Sequence, residues 1–348
     1  MDKVGILIIT LNRSEFLIRQ LEYYKSSNSI HPIYIGDSSN KYHKKQVLKK
    51  IEEIKDNLEI HYFHLPDYND REAHSYIAKK CKESFCAYSG DDDFLVPNSL
   101  SKCAEFLSRN INYRTAQGHS VVFKFTDGNV YGKKYVLGPY WKRTQFIDNS
   151  SAERINNFGN NYWTVVFSVR RTIEFNEDLK LFEKIPDRSF GELIQNFTAL
   201  ANGRTKSIDC LYLIRQVHDS TYKLPSKFAW IKNPNWYPSY KIFLNSISKI
   251  VSKIDKISNI KAKEEVANAF DNYLKLAFVS VKDSNRLKFK KSLIKMFPFL
   301  KKFIVLVHYL KSVIDIKSKN LTYFSLLKKN SPYNKDFILV HNIITKRD

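Results

Sequence analysis

Ser89-Gly90-Asp91-Asp92-Asp93-Phe94 stands between the short apolar run Phe85 to Tyr88 and the segment Leu95-Val96-Pro97. Three consecutive carboxylates at the end of a buried-strand pattern repel one another and are costly to desolvate, so the stretch demands a cation beside it. Oxygen-only ligands at a strand end suit a hard divalent ion that in turn holds a phosphate. A solvated acidic turn is the plainer alternative. The residues on either side decide between the two.

Toward the N-terminus, Val4 to Leu11 is a continuous β-branched run of the kind found in parallel strands covered on both faces. It is too short for a signal h-region or a membrane span, and Asn12-Arg13 follows without a cleavage pattern. Ser14 then suits an N-cap, with Phe16, Leu17, Leu21 and Tyr24 at helical spacing. Ile30 to Ile35 reads as a second strand ending in Gly36-Asp37-Ser38-Ser39, and Val47, Leu48, Ile51 and Ile54 mark the next helix. Leu58 to Leu65, Arg71 to Glu83 and Phe85 to Tyr88 continue the rhythm as strand, helix and strand. Such alternation predicts a parallel α/β sheet whose ligands lie beyond the carboxyl ends of its strands. Thr10, Asn12, Arg13, Asp37, Ser38 and Asp91 to Asp93 then share one crevice. For Asp37 taken alone, an Asx-turn or helix cap is an equal reading.

Beyond the aspartates, Ser99 to Asn110 reads as a helix, and Val121 to Phe125 and Trp163 to Val169 as strands, with a hairpin signal at Asp127-Gly128-Asn129. Tyr140 to Asn161 suits an acceptor-facing loop or a plain surface excursion, and Tyr162-Trp163 suits either sugar stacking or the core. In the helix Asp187 to Ala201, Phe190, Leu193, Ile194 and Phe197 form the buried stripe and leave Glu192 off it. Ile208 to Arg215 reads as a strand that rejoins the sheet.

With 348 residues and 43% hydrophobic content the chain buries a sizeable core. Cys81, Cys86, Cys103 and Cys210 show no C-x-x-C spacing, which fits packing residues of a reduced cytosolic protein. The charge is lopsided: residues 231–348 hold 24 Lys/Arg against 8 Asp/Glu, whereas residues 1–230 hold 33 against 27. The division expected is therefore an α/β domain over 1–230 and a basic, α-helical region over 231–348. Ile242 to Ile257, Glu264 to Val281, Leu287 to Phe297 and Phe299 to Ile316 carry helical apolar spacing with lysines between. The apolar and basic segment Phe297 to Lys311 suits either the interface of an anionic bilayer or helices packed on the first domain.

Ile9-Thr10-Leu11-Asn12-Arg13, Ile35-Gly36-Asp37-Ser38-Ser39, Gly90-Asp91-Asp92-Asp93-Phe94 with Pro97, Ala116-Gln117-Gly118, Phe190-Gly191-Glu192-Leu193 and Leu211 to Gln216 resemble, in order, the family 2 type of nucleotide-sugar glycosyltransferase. The closer likeness is to a bacterial subgroup with the same aspartate run, and it covers roughly residues 4 to 218. It implies a GT-A fold, that is, a mostly parallel Rossmann-like sheet flanked by helices. It also implies metal-dependent, inverting transfer of a sugar from a nucleoside diphosphate sugar to a glycan or lipid-linked acceptor, in bacterial surface polysaccharide assembly. Asp93 would then coordinate Mn²⁺ or Mg²⁺, with Asp91 on the ribose or on metal-bound water and Asp92 beside it. Asp37 would meet the base, Thr10 and Ser38 would line that pocket, and Asn12 and Arg13 would edge it. Glu192 would be the general base, with Asp187 as the alternative. His218 and Arg215 would approach metal and diphosphate, although a structural histidine is the ordinary reading of His218. Where the subgroup often brings a basic group to the donor, this chain has Ala73, with Arg71 and His74 nearby. The expected location is cytoplasmic, at the inner face of the membrane.

Two other classes compete. A nucleic-acid-binding protein would explain the pI near 9.6, but the crevice acids would face phosphates and no recognised nucleic-acid motif is present. A sugar nucleotidyltransferase also uses strand-end aspartates, but it wants a glycine-rich loop after the first strand where this chain has Thr10-Leu11-Asn12-Arg13-Ser14.

Overall fold

Side chains alternate across the first strand, and this sets the layering. In β1 (Val4–Thr10) Val4, Ile6 and Ile8 enter one core and Leu7 the other, all fully buried. The computed structural model describes residues 2–137, 145–219, 227–276, 321 and 323–345. After β1 come α1 (Ser14–Ser26), β2 (Ile33–Asp37), α2 (Lys41–Ile54), β3 (Ile60–His64), α3 (Asp70–Lys80) and β4 (Phe85–Gly90). β1 runs parallel to β2 and β4, and β2 parallel to β3. The register sets Thr10 beside Asp37, Asp37 beside His64 and Ile9 beside Gly90, so the polar strand ends emerge along one edge.

The chain continues through β5 (Phe94–Leu95), α4 (Pro97–Arg109), β6 (Tyr113–Phe125), β7 (Tyr135–Leu137), α5 (Ser151–Asn160), β8 (Val169–Arg171), α6 (Thr172–Phe182), α7 (Arg188–Asn202) and β9 (Arg204–Gln216). Then follow α8 (Lys227–Ile231), α9 (Trp236–Asp255), a helix over 259–276, the short helix Tyr323–Leu327 and the helix Asn334–Thr345. Among the described residues one nine-stranded sheet has the order β3-β2-β1-β4-β8-β6-β9-β5, with β7 paired to β6. The expected α/β class holds. The hairpin at Asp127 is also present, its carboxylate accepting from the amides of Lys133 and Lys134 at 3.2 Å each.

Three local expectations are corrected. Ser14 is the first residue of α1 and not its cap; Arg13 takes the cap position, and the Ser14 hydroxyl pairs with His43 Nδ1 at 2.8 Å. Of Trp163 to Val169 only Val169 is strand, as the first residue of β8; before it the Val165 amide donates to Asn196 Oδ1 (2.9 Å) and the Ser168 amide to Val165 O (3.0 Å), a buried turn in place of a ladder. Within Tyr140 to Asn161, residues Ser151–Asn160 are helical, closed by a capping box between Ser150 and Glu153. Residues 138–144 of that stretch lie outside the described residues.

Residues past 230 add to both hydrophobic cores. Phe243, Ile247 and Val251 of α9, with Ala262, Val266, Ala269 and Phe270 of the following helix, share a core with Phe190 and Phe197 of α7. On the other face Tyr333, Phe337, Val340 and Ile344 join the core of α1 and α4. The Leu287 to Phe297 and Phe299 to Ile316 patterns, and with them the Phe297 to Lys311 segment, lie outside the described residues. No helix among the described residues is long and apolar enough to cross a membrane. Gly159 of α5 meets the Ala269 backbone so closely that an added Cβ would overlap its carbonyl oxygen. Gly159→Ala should therefore lower the free energy of unfolding by about 1–3 kcal/mol; an unchanged urea midpoint would contradict this helix contact.

Candidate active site

The aspartate turn is held from below by two side chains of α1. Gln20 Nε2 donates to Ser89 Oγ (2.9 Å), Gly90 O (2.9 Å) and Asp93 O (2.6 Å). Arg19 donates to Asp92 O (3.0 Å), to Gln216 Oε1 (2.6 Å) and to Val130 O, with its guanidinium between the rings of Phe16 and Phe94. Both side chains are fully buried. A buried arginine needs such acceptors, and here they serve its Nη groups while Nε has no hydrogen bond among the described residues. Neither residue stood out in the sequence. The available signal was a polar pair on the same helix face as Phe16, Tyr23 and Tyr24.

Each of the three carboxylates has its own partners. Thr10 Oγ1 donates to Asp91 Oδ2 at 2.7 Å, and Arg13 Nη2 lies 3.0 Å from Asp91 Oδ1. The same Nη2 is 2.5 Å from Asp92 Oδ2, which also meets His218 Nε2 at 2.8 Å. Asp93 Oδ2 accepts from Arg215 Nε (3.1 Å) and Oδ1 from the Gln216 amide (3.2 Å). Burial is the largest influence on Asp91 and Asp93 and, with the neighbouring Asp92 charge, raises both pKa values against the pull of Arg13 and Arg215. Burial opposes ionisation of Asp92 too, but the His218 hydrogen bond and the Arg13 guanidinium outweigh it and draw the pKa down. His218 is stacked on Phe16 at 4.5 Å.

Arg215 joins this cluster to α7. Its guanidinium lies 4.6 Å over the Phe167 ring, and the charges of Asp93, Asp92 and, farther along, Glu192 all favour its protonation. Glu192 Oε1 accepts from the Tyr162 hydroxyl at 2.5 Å, and that hydroxyl accepts from Asn196 Nδ2 at 3.0 Å. Tyr162 also packs against Phe158 and Tyr273, so the aromatic pair belongs to the core and one member orients Glu192. Trp163 stacks on Phe146.

Other expected site residues have structural partners. Asp187 caps α7: its Oδ1 accepts from the amides of Ser189 and Phe190 and from Trp230 Nε1, all within 3.1 Å. Of the two candidate bases, Glu192 is the one whose charge reaches Arg215. Asp37 is fully buried, with Oδ1 taken by the Ser39 amide (2.8 Å) and Oδ2 by the Tyr62 hydroxyl (2.7 Å). It closes an Asx turn after β2 and is tied to β3 through Tyr62, and it exposes no surface to a base in this structure. Asn12, at φ 55, donates its amide to Ser39 Oγ and accepts from the Asn40 amide. Ser38 Oγ donates to Tyr68 O at 3.1 Å. Arg71 is bound to Ile185 O, and His74 is buried against Tyr88, its pKa lowered to about 3 by burial and by Arg170. Among the described residues the guanidinia that touch the aspartate carboxylates are thus those of Arg13 and Arg215, not of α3.

Among the described residues no three His, Cys, Asp or Glu side chains form a metal cage. A small hard cation that shares phosphate oxygens needs only one or two carboxylates from the protein. Asp91 and Asp93 are buried oxygen donors at one strand end, each in contact with one guanidinium. This donor set fits Mg²⁺ or Mn²⁺ held jointly with a diphosphate.

No protein-family model matches the chain, and no curated protein matches it. Among solved structures it is similar to S. aureus TarS 1–349 in complex with UDP-GlcNAc, at 14% sequence identity over 78% of this chain and 73% of that one, with a TM-score of 0.51. TarS 1–349 in complex with UDP aligns at 13% identity over 81% and 92% of the two chains, with a TM-score of 0.42. The first likeness concerns the fold. The chain is an α/β protein of GT-A type, a mostly parallel sheet flanked by helices with a helical C-terminal region.

Proposed function

We propose that the chain is an inverting, metal-dependent glycosyltransferase that moves a sugar from a nucleoside diphosphate sugar to a glycan or lipid-linked acceptor, as in bacterial surface polysaccharide assembly. The observation that carries this reading is Arg215, which touches Asp93 and stands within electrostatic reach of Glu192. On this reading Arg215 links the leaving-group end of a displacement to its acceptor side.

The division of labour follows from the contacts. Arg13 and Arg215 bind the diphosphate oxygens on which negative charge develops as the glycosidic bond breaks. A divalent ion, held by Asp91 and Asp93, supplies further positive charge to that leaving group when bound. Glu192 takes the acceptor hydroxyl proton as the oxygen attacks the anomeric carbon. Tyr162, itself fixed by Asn196, holds the Glu192 carboxylate in one orientation. Thr10 keeps Asp91 aligned. Four free cysteines accord with a cytoplasmic site of action, and the lysine-rich C-terminal region with an anionic membrane surface nearby.

The test is a thermal-shift panel of nucleoside diphosphates and their sugars, starting with UDP-GlcNAc, with and without Mn²⁺. At least one nucleotide sugar should raise the melting temperature by several degrees, as ligand at about 100 times its Kd stabilises by about 2.7 kcal/mol. A panel without any shift would overturn the reading.

A further inference from the structure

Among the described residues three arginines surround the aspartate turn, and their settings differ. Arg19 is fully buried and spends its donors on carbonyl and amide oxygens. Arg13 and Arg215 have side chains 25% and 32% exposed, and they contact the carboxylates themselves. Arg215 uses only Nε among the described residues, leaving the planar Nη pair without a hydrogen bond. The carboxylate oxygens that would hold a divalent ion are therefore already matched: Asp91 by Thr10 and Arg13, Asp93 by Gln216 and Arg215.

A divalent ion arriving alone must break an arginine–carboxylate contact and leave a guanidinium beside it, two like charges in a partly desolvated crevice. A diphosphate arriving alone finds the guanidinia already neutralised and meets three carboxylates. When both arrive, the ion takes the carboxylates and the guanidinia turn to phosphate oxygens, for which their fork geometry is suited. Every charge then keeps a partner.

We propose that Arg13 and Arg215 are resident counter-ions of Asp91 and Asp93 that exchange onto the donor diphosphate, so that metal and donor bind strongly only together. The proposal rests on the donor site described above. Arg19 does not take part and stays as the fixed support of the turn. Because the coupling is a binding free energy, it is reciprocal: the ion must strengthen nucleotide binding by the same factor by which the nucleotide strengthens ion binding.

Calorimetric titration of the full chain with Mn²⁺ alone, UDP alone and each in the presence of the other tests it. Wild type should show weak binding of either alone and about a tenfold or greater gain in both directions. Arg215→Gln should bind Mn²⁺ alone about tenfold more tightly than wild type and lose most of the coupling. Arg13→Gln is the second variant, and it carries the test if Arg215→Gln melts early. Unchanged Mn²⁺ affinity in both variants would overturn the exchange while leaving the donor site intact, as would UDP binding that ignores Mn²⁺. If UDP and UDP-sugars fail to bind under any condition, the donor reading itself fails, and the exchange with it.

Discussion

Asp93→Asn is expected to slow sugar transfer by about 100- to 1,000-fold, the range measured when one preorganised electrostatic group is removed from an active site. The substitution keeps the side-chain shape and takes away the charge. With it go the ion pair with Arg215 and one of the two carboxylates suited to a hard cation. The fold should tolerate the change. Burial already makes ionised Asp93 unfavourable, so a neutral amide relieves a desolvation cost while Gln20 still anchors its backbone carbonyl. Steady-state transfer and a melting curve on the same preparation check both halves. A folded variant with turnover within a few-fold of wild type would remove Asp93 from the chemistry.

Glu192→Gln should cost about 100- to 10,000-fold in the transfer rate with donor affinity unchanged, since general-base catalysis supplies that range. Glutamine is nearly isosteric and its carbonyl oxygen can still accept from Tyr162, so the orientation of the side chain survives while its basicity does not. A rate measurement beside UDP-sugar titration separates the two effects. An active variant would require another base, and Asp187 is poorly placed to serve, because three donors converge on its Oδ1 at the α7 cap.

The parallel half of the sheet and its polar edge were legible because strand periodicity and strand-end chemistry are local. Val4 to Thr10 alternates into two cores, and the aspartates interrupt an apolar pattern. What stayed hidden depends on distant neighbours. Asp37 is sealed by Tyr62, a partner supplied by the β2–β3 register, which no spacing in the chain announces. Arg19 and Gln20 read as ordinary helix polars until the turn they support is folded above them. Trp163 to Val169 has strand composition, yet Asn196 satisfies its backbone from α7. The capping box at Ser150 and Glu153 was a local signal for α5 that the aromatic and polar character of its surroundings obscured. The sequence suggested a basic helical region past 230, but which core each helix would join, α9 that of α7 and the Asn334–Thr345 helix that of α1, depends on distant neighbours.

The most direct measurement is a crystal structure of the chain with a nucleoside diphosphate sugar and Mn²⁺. The diphosphate should lie at the carboxyl ends of β1 and β4, in contact with Arg13 and Arg215, with the cation on Asp91 and Asp93 and the anomeric carbon on the side of Glu192. A diphosphate bound elsewhere would contradict this placement, for instance in the separate cleft of about 570 Å³ lined by Asn69, Arg71, Lys184 and Ile242.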